Sequence, residues 1–428
     1  MKKYHSYKDS EVGWIGEIPN TWKVSRVKKY FNERNEKVSD LDFPPLSVTK
    51  RGILPQLDNV SKSDNHNDRK RVCKNDFVIN SRSDRKGSSG MSLLDGSVSL
   101  INIVLEPKSI LPKYSQYIFK SKDFIEEFFR NGKGIHWDLW STRFSELQDI
   151  KIPIPPFSEQ QQIVSFLDTK TSLIDSLIEK TQLKIELLKE KRTSLINEIV
   201  TKGLNPNVEM KDSGVEWIGM IPISWELTKM KFEVEIFGRI GFRGYTTEDI
   251  VNEGEGVITI SPSNIKNDVF NLENRTYLSW EKYHESPEIK IFKDDIILVK
   301  TGSTIGKTSI IPDGVPEMTI NPQLVVLKNV KLFPKFLYYQ TTCKFIKESF
   351  DIEQTGSTTP TISQEKVNDF PLVKPPMSEQ QQIVEYLDEQ ILKIDKIISI
   401  EEKRIELLKE YHQSLISEVV TGKRKVVE

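Results

Sequence analysis

The segment from Gly302 to Ser309 (GSTIGKTS) has most of the residues of a phosphate-binding loop. It is one residue short of the spacing that such a loop requires. The next residues, Ile310-Ile311-Pro312, are typical of a strand and a turn, whereas a bound phosphate needs a helix N-terminus at that point. The segment therefore predicts a glycine hairpin between two strands rather than a nucleotide site.

Other catalytic patterns are met only loosely. Glu288-Ile289-Lys290 fits the Glu-x-Lys part of a nuclease motif, but a chain with 62 acidic and 61 basic residues contains such a triplet by chance. The proline pairs in FPPL, IPPF and KPPM lack the preceding Asp, Asn or Ser of an amino-methyltransferase, and no glycine-rich cofactor loop follows a strand. We therefore predict no catalytic residue.

Histidine and cysteine are scarce and scattered. The five histidines, His136 among them, show no spacing suited to a metal, and Cys73 and Cys343 lie far apart. This pattern predicts no metal site and excludes a disulfide framework.

Basic side chains in loops rich in Gly and Ser are the remaining functional candidates. Arginine can contact guanine or phosphate through two parallel hydrogen bonds, and Ser and Thr supply secondary contacts. The alternative for each residue is a charged loop that is merely solvated. The residues that could make contacts of this kind are Lys50, Arg51, Arg82, Arg85, Lys86, Ser88, Lys133, Arg239, Arg243, Lys300, Ser303, Lys307 and Thr358.

The charge of the whole chain does not indicate a polyanion partner, since its net value is −1. The charge is uneven, however: residues 1–150 carry 26 Lys and Arg against 20 Asp and Glu, whereas residues 210–372 are acidic. The N-terminal residues lack the apolar segment of a signal peptide, and no apolar run is long enough to span a bilayer. We therefore expect a soluble, cytoplasmic protein.

Two similar segments, each opening with a proline pair, predict the longest helices. PPFSEQQQIVSFLD begins at Pro155 and PPMSEQQQIVEYLD at Pro375. Ser158 and Ser378 are suitable N-caps, and about 40 residues without Pro or Gly follow, roughly 60 Å of helix. Apolar residues recur at alternating spacings of three and four, which is the heptad pattern of a coiled coil.

Polar interruptions of these heptads predict how the helices pair. Thr181 and Arg192 interrupt the first helix, and Glu401 and His412 interrupt the second at equivalent positions. Parallel packing would place Arg192 against His412. Antiparallel packing pairs Arg192 with Glu401 and Thr181 with His412, so we predict an antiparallel coiled coil in that register.

An entry motif is also repeated, because KDSEVGWIGEIPNTW (Lys8 to Trp22) returns as KDSGVEWIGMIPISW (Lys211 to Trp225). The chain is therefore a tandem duplication in which an entry motif, a dissimilar globular stretch, a proline pair and a long helix occur twice. Strand-like runs such as FVINS (Phe77 to Ser81) interleave irregularly with helical runs such as DFIEEFF (Asp123 to Phe129), which predicts an α+β fold.

The predicted architecture is α+β, with two tandem globular domains separated by two long helices in an antiparallel coiled coil and related by a pseudo-two-fold duplication. The predicted globular domains span residues 1–157 and 204–376. The predicted helices span residues 158–203 and 377–422.

Four of these motifs together resemble those of type I restriction–modification specificity subunits. They are the paired PPxSEQQxIVxxLD segments, the KDSGVEWIGxIPxxW entry motif, DIILVKTGSTIGK and GSTTPTIS, and the resemblance covers essentially the whole chain. It implies that each globular domain is a target-recognition domain reading one half of a split, asymmetric site in double-stranded DNA.

The resemblance also implies partners. The long helices would space the recognition domains and dock two methyltransferase subunits, and translocating restriction subunits would join that core. Adenine methylation and DNA cleavage would belong to those partners, with their S-adenosylmethionine, ATP and Mg²⁺. This chain would be non-catalytic and would hold no cofactor.

Two other interpretations stay open at this point. One is a non-catalytic scaffold whose duplicated domains bind proteins, which predicts no salt-dependent DNA binding even with partners present. The other is a nuclease that uses Glu288 and Lys290. Loss of cleavage in a partner-free Glu288→Ala preparation would support the nuclease.

Overall fold

The computed structural model describes residues 3–57, 67–134, 140–239, 244–356 and 359–426. The chain forms two compact units, which are described separately: unit 1 is residues 1–183 with 401–428, and unit 2 is residues 184–400. Each long helix contributes to both units. Within the described ranges, no helix is long and apolar enough to cross a bilayer.

The globular part of unit 1 combines short strands with short helices. Its helices are α1 (Pro112–Lys120), α2 (Lys122–Arg130) and α3 (Phe144–Leu147), followed by the long helix α4 (Phe157–Lys202). Its strands are β1 (Tyr7–Asp9), β2 (Glu17–Pro19), β3 (Lys23–Arg26), β4 (Phe31–Glu33), β5 (Lys37–Val38), β6 (Leu46–Thr49), β7 (Gly52–Pro55), β8 (Arg69–Val72), β9 (Phe77–Asn80), β10 (Ser89–Met91), β11 (Gly96–Ser99), β12 (Asn102–Pro107) and β13 (Lys151–Ile154).

Unit 2 repeats this organisation with a larger second sheet. Its helices are α5 (Met230–Glu233), α6 (Trp280–Glu285), α7 (Pro334–Thr342), α8 (Lys344–Glu353) and α9 (Gln364–Asn368), followed by the long helix α10 (Met377–Val420). Its strands are β14 (Met210–Asp212), β15 (Met220–Pro222), β16 (Glu226–Lys229), β17 (Glu235–Gly238), β18 (Ile250–Val251), β19 (Gly256–Ile260), β20 (Ile265–Lys266), β21 (Val269–Phe270), β22 (Thr276–Ser279), β23 (Lys290–Ile291), β24 (Ile296–Val299), β25 (Thr308–Ile310), β26 (Met318–Ile320), β27 (Leu324–Lys328) and β28 (Pro371–Lys374).

A four-stranded antiparallel sheet lies at the centre of each unit, in the order β10-β9-β12-β4 in unit 1 and β25-β24-β27-β17 in unit 2. Successive residues of a strand point to opposite faces. Phe77 and Ile79 join the core that includes the helices, whereas Val78 joins a second core on the other face. Ile296 and Ile297 divide in the same way. Burial on both faces explains the continuous apolar runs of these strands, and the mixed α+β prediction is confirmed.

The two long helices begin and end as their flanking residues require. Phe157 and Met377 are their first residues, one position before the serines that we expected as N-caps. The carbonyl of Pro156 accepts hydrogen bonds from the amides of residues 159 and 160, and that of Pro376 accepts from the amides of residues 379 and 380. The second proline of each pair therefore provides the acceptor for the first turn of its helix. After the helices, Gly203 and Gly422 adopt positive φ angles of 76° and 75°, which glycine tolerates at a helix C-terminus.

The long helices run antiparallel in each unit. In unit 2, a Cβ on Gly203, just after α4, would lie 3.0 Å from the carboxylate of Glu379 in the first turn of α10. In unit 1, Gly422, just after α10, packs against Trp22, which is hydrogen-bonded to Glu159 in the first turn of α4. The start of one helix therefore lies beside the end of the other, as predicted.

The predicted register of this pair is wrong by about one heptad. In unit 2, Arg192 Nε lies 3.4 Å from Oδ1 of Asp395, six residues before Glu401. In unit 1, His412 Nε2 lies 3.8 Å from Oδ1 of Asp175, six residues before Thr181. The predicted pair Arg192–Glu401 is therefore replaced by Arg192–Asp395, and Thr181–His412 is replaced by Asp175–His412. Both partners are displaced by the same six residues.

The offset has a physical reason. A heptad pattern is periodic, so a slide of one heptad again places apolar residues against apolar residues. It also brings Asp175 and Asp395, which lie outside the seam that we considered, beside the two basic interruptions. The predicted register left residues 159–170 and 379–390 outside the helix pair, whereas in unit 1 Ile163 and Leu167 share a core with Val419.

Candidate DNA-recognition surface

A buried tryptophan attaches each globular part to the start of a long helix. Trp22 is fully buried, and its Nε1 donates to Oε2 of Glu159 at 3.0 Å, while the hydroxyl of Tyr4 donates to the other carboxylate oxygen. In unit 2, Nε1 of the fully buried Trp225 donates to Oε2 of Glu379, also at 3.0 Å. The entry motif and the SEQQ motif therefore bind each other in both units.

The first glutamine of each SEQQ motif makes a second attachment. The side-chain oxygen of Gln160 accepts from the amide of Leu111 at 2.9 Å, and that of Gln380 accepts from the amide of Phe333 at 2.8 Å. The side-chain nitrogens donate to the carbonyls of the preceding prolines at 3.0 and 2.8 Å. Both glutamines are almost completely buried, so their polar atoms need these partners.

The aspartates that end the repeated motifs, Asp168 and Asp388, make a third attachment. Each accepts hydrogen bonds from a tyrosine hydroxyl and a lysine ammonium on a short helix earlier in the same half of the chain. Burial, and then the hydrogen bond to the aspartate, raise the pKa of both tyrosines, so these hydroxyls stay protonated donors. The donors are Tyr117 and Lys113 on α1 and Tyr339 and Lys335 on α7.

From the sequence we expected the first turns, residues 159–170 and 379–390, to pack against the globular domains or against partner subunits, but we did not predict these residue pairs. The available signal was that tryptophan, glutamate, glutamine and aspartate recur together in both halves. The repeated residues hold each globular part in a fixed place on its helix. The loops that differ between the units lie elsewhere.

In unit 1 the structure brings the predicted basic residues together. Lys50 and Arg51 lie in the turn between β6 and β7, and Arg82, Arg85 and Lys86 lie in the loop between β9 and β10. The ammonium of Lys120 joins the two segments by donating to backbone carbonyls of both. Sequence reasoning missed this residue, since nothing in its helical context marks it.

Lys133 belongs to the same region. It pairs through its backbone with Ser141, which also forms a β-bridge with Arg82. Its side chain is 78% exposed and lies 3.1 Å from Glu146. The loop after β9 and the chain around Lys133 therefore form one surface, which we call the basic surface: Lys50, Arg51, Arg82, Arg85, Lys86 and Lys133.

Most of the basic surface is accessible. Lys50, Arg51 and Arg82 are exposed, and the side chain of Arg85 is 66% exposed beside its neighbour Asp84. Lys86 is more constrained, because it lies 2.7 Å from Glu126 and over the ring of Phe129. Exposed ion pairs of this kind contribute little, about 0–1 kcal/mol, so phosphate groups can compete for these cations.

Ser88 does not fit its predicted role. It is 5% exposed, and its backbone amide donates to the carbonyl of Arg85 while its carbonyl accepts from the amide of Asn80. These bonds close the loop that carries Arg82 and Arg85. The structure gives Ser88 a place inside the loop rather than on a DNA-facing surface.

Unit 2 has a corresponding loop with different chemistry. Residues 302–307 form the turn of an antiparallel hairpin between β24 and β25, which confirms the hairpin prediction for GSTIGKTS. Thr301 forms a β-bridge with Thr361, as Arg82 does with Ser141. Ser303 is exposed, and Lys307 is partly exposed. Lys300 is partly buried, and that burial lowers the pKa of its ammonium.

Arg239 is the clearest correction among the predicted DNA ligands. It is only 4% exposed, and its guanidinium donates to the carbonyl of Ile320 at 3.2 Å and to Oγ1 of Thr319 at 3.1 Å. Burial lowers the pKa of Arg239. The residue stabilises the interior of unit 2, and its position next to a glycine-rich stretch had suggested exposure. Arg243 and Thr358 lie outside the described residues.

The nuclease triplet lies in an ordinary structural setting. Glu288 is in a single helical turn before β23, and the ammonium of Lys290 lies over the ring of Tyr283. Among the described residues, no three His, Cys, Asp or Glu side chains gather as metal ligands. Nothing in this geometry supports a hydrolytic site at Glu288.

Comparison with known proteins identifies related chains. Residues 8–187 and 235–410 match the family model of the type I restriction modification DNA specificity domain. The MjaVIII specificity subunit of a type I restriction enzyme from Methanocaldococcus jannaschii is 27% identical over 341 residues, which are 77% of this chain and 75% of that protein.

Solved structures share the fold at low sequence identity. A chain from a study of complex assembly and conformational transition in the type I R-M system has a TM-score of 0.72 at 14% identity, covering 94% of this chain and 98% of its own. The HsdS subunit from Thermoanaerobacter tengcongensis has a TM-score of 0.55 at 15% identity, covering 95% and 98%.

Proposed function

The chain belongs to the type I restriction modification DNA specificity family, and from that premise we propose that each of its globular domains reads one half of a split, asymmetric DNA site. The protein is a specificity subunit with two tandem recognition domains. We assign residues 1–157 to recognition domain 1 and residues 204–376 to recognition domain 2. Residues 158–203 and 377–422 are the spacer helices.

This proposal rests on one observation: both globular domains are attached to their long helices by the same contacts, but their loops differ. The attachments through Trp22 and Trp225 are the same to 0.1 Å in donor–acceptor distance. The corresponding loops present Arg82, Arg85 and Lys86 in domain 1 but Ser303, Thr304 and Lys307 in domain 2. Two recognition domains that are attached in the same way but carry different loop side chains suit an asymmetric DNA site.

The chemistry of domain 1 suits contact with duplex DNA. Arginine reads guanine through O6 and N7 in the major groove, and lysine neutralises phosphate. Arg51, Arg82 and Arg85 are exposed together on the basic surface. In domain 2 the loop between β24 and β25 carries two lysines, Lys300 and Lys307, and both are only partly exposed, so the electrostatic field of partner subunits would supply more of its attraction to DNA.

The long helices expose apolar side chains outside their paired seam, which is the chemistry of a protein-docking surface. Leu177 and Ile397 occupy the same place in the two repeats, as do Leu187 and Leu407, and all four are 41–55% exposed. We assign these faces to two methyltransferase subunits. Restriction subunits would join that assembly.

The reactions belong to those partners in this proposal. The methyltransferase subunits would use S-adenosylmethionine, and the restriction subunits would use ATP and Mg²⁺. This chain would supply the sequence recognition and the spacing, without chemistry of its own.

Methylation mapping tests the proposal. The chain would be expressed with its methyltransferase subunits in a host lacking other adenine methylation, and the methylated sites would be sequenced. We expect one asymmetric motif of two defined parts separated by a fixed, unread gap. A continuous motif, or no methylation above the methyltransferase alone, would contradict the proposal.

A further inference from the structure

Lys120 occupies an unusual position at the end of α1. Its ammonium donates to the carbonyl of Lys50 at 2.8 Å, to that of Gly87 at 3.3 Å and to that of Ser89 at 3.3 Å. An ammonium has three hydrogens, and here all three have backbone carbonyls as partners. The first carbonyl belongs to the β6–β7 turn, the second belongs to the β9–β10 loop, and the third belongs to Ser89, the first residue of β10.

Each segment has hydrogen bonds of its own, and the ammonium of Lys120 adds a link between them. Lys50 and Arg51 lie at an exposed turn, and the β9–β10 loop carries the exposed Arg82 and Arg85. Among the residues that the structure describes, no carboxylate forms an ion pair with Lys120. Burial lowers the pKa of its ammonium. A cation that is partly buried without a counter-ion costs free energy, and the three carbonyl bonds offset that cost.

We propose that Lys120 is a positioning residue that fixes the two basic segments of recognition domain 1 relative to each other and so sets its sequence discrimination. The inference rests on the proposed function of that domain. Lys120 would not read a base itself. It would hold the backbone of Lys50 and of the loop that carries Arg82 and Arg85, whose side chains then reach base edges in a fixed geometry.

Recognition domain 2 provides an internal comparison. Its helix α7 corresponds to α1 and ends with Thr342, whose hydroxyl donates within its own helix to the carbonyl of Tyr339. The link that Lys120 makes through its three hydrogen bonds, which we call the lysine clip, is therefore a feature of domain 1. Its loss should affect the half-site that domain 1 reads and leave the other half unchanged.

The expected loss of base discrimination in Lys120→Met follows from the discrimination that one base contact provides. One well-placed base contact discriminates against the wrong base by roughly one to two orders of magnitude, and loosening the loops weakens that contact without removing it. We expect Lys120→Met to lower discrimination against a single-base change in the domain 1 half-site by about tenfold. Binding to the unaltered site should fall less.

The experiment uses the full chain assembled with its methyltransferase subunits. Methylation rates and binding would be measured on duplexes with the mapped site and on duplexes with one base changed in either half. Lys120→Met would be compared with Lys122→Met, which removes the same charge from an exposed position two residues away. Lys120→Gln keeps two donors, so it should fall between wild type and Lys120→Met, and it replaces Lys120→Met if that variant does not fold.

The expected result is reduced discrimination in one half only, with unchanged thermal unfolding and no effect of Lys122→Met. Equal loss in both halves would overturn the proposal. So would uniform weakening on all sequences with a salt slope reduced by about 1, because that is the behaviour of a direct phosphate contact.

A second measurement separates this proposal from the proposed function. Amide hydrogen exchange of the chain without DNA should be faster in Lys120→Met around Gly52 and at residues 87–89. Unchanged exchange there would overturn the clip whatever the DNA results. If the wild-type complex itself fails to discriminate bases in either half, the proposed function fails, while faster exchange would still support the clip.

Discussion

Removing the glutamate of each SEQQ motif should destabilise the two units unequally. Among the described residues, the carboxylate of Glu159 accepts two hydrogen bonds, from Nε1 of Trp22 and from the hydroxyl of Tyr4, whereas that of Glu379 accepts one, from Nε1 of Trp225. Hydrogen bonds to a charged group contribute about 1.5–3 kcal/mol each, and an indole left buried without an acceptor costs a similar amount.

We therefore expect Glu159→Ala to lower the free energy of unfolding of unit 1 by about 2–4 kcal/mol. Glu379→Ala should lower that of unit 2 by about 1–3 kcal/mol. The value for Glu159 is below the sum of two full bonds because both Glu159 and Tyr4 are partly exposed, so water replaces part of what is lost. For units of this size, each kcal/mol lowers the midpoint of thermal unfolding by about 2–4 °C.

The assay is calorimetric unfolding of wild type and variants, with Glu→Gln at both positions as matched controls. Glutamine keeps an oxygen acceptor for the indole, so each Gln variant should lose less than its Ala counterpart. Glu186→Ala removes an exposed helix glutamate and should change stability by no more than about 0.5 kcal/mol. Losses at Glu159 and Glu379 as small as that at Glu186 would refute the attachment role.

The Tyr4 bond also gives a pH dependence with a definite sign. Burial and the bond to Glu159 raise the pKa of Tyr4 above its usual value of 10.0. As the pH rises, the Tyr4 hydroxyl therefore loses its proton in the unfolded chain before it does so in the folded chain. The contribution of Tyr4 to the free energy of unfolding is thus fully present at neutral pH and is lost as the pH rises above about 10. Glu159→Ala should show a shallower alkaline loss of stability than wild type.

Three further predictions use other parts of the chain. Inserting one heptad into each long helix, after Leu183 and after Ile400, lengthens each helix by about 10.5 Å. The unread gap in the DNA site should then widen by about three base pairs. An unchanged gap at full activity would contradict the spacer role. Burial raises the pKa of the Cys343 thiol, so a thiol reagent at pH 8 should label Cys73 quickly and Cys343 only on unfolding, and two fast thiols would be incompatible with the structure. Leu407→Lys should reduce co-purification of the methyltransferase with no change in thermal unfolding, whereas unaltered co-purification would place the docking face elsewhere.

The parts of the fold that depend on local pattern could be predicted from the sequence. Proline pairs, heptads and glycines indicate where the long helices begin and end, and the repeated motifs reveal the duplication. The GSTIGKTS hairpin followed from its spacing and from Pro312. Each of these depends on residues close together in the chain.

Features that depend on contacts between distant segments could not be predicted in the same way. The helix register was wrong because every heptad slide preserves the apolar pattern, and the deciding partners, Asp175 and Asp395, lie off the seam. Arg239 was predicted to be exposed because of its neighbours in sequence, but Ile320 and Thr319 bury it. The attachment of Trp22 to Glu159 joins segments 137 residues apart, and neither segment indicates it alone.

Exchange of one recognition domain tests the central claim most directly. Residues 23–152 would be replaced by the equivalent stretch of a related specificity subunit, with Trp22 and the SEQQ motif kept so that the attachment to α4 is preserved. The methylated motif would then be mapped by sequencing in cells that express the matching methyltransferase. We expect one half of the motif to change while the other half and the gap length stay the same. A change in both halves, or in neither, would contradict it.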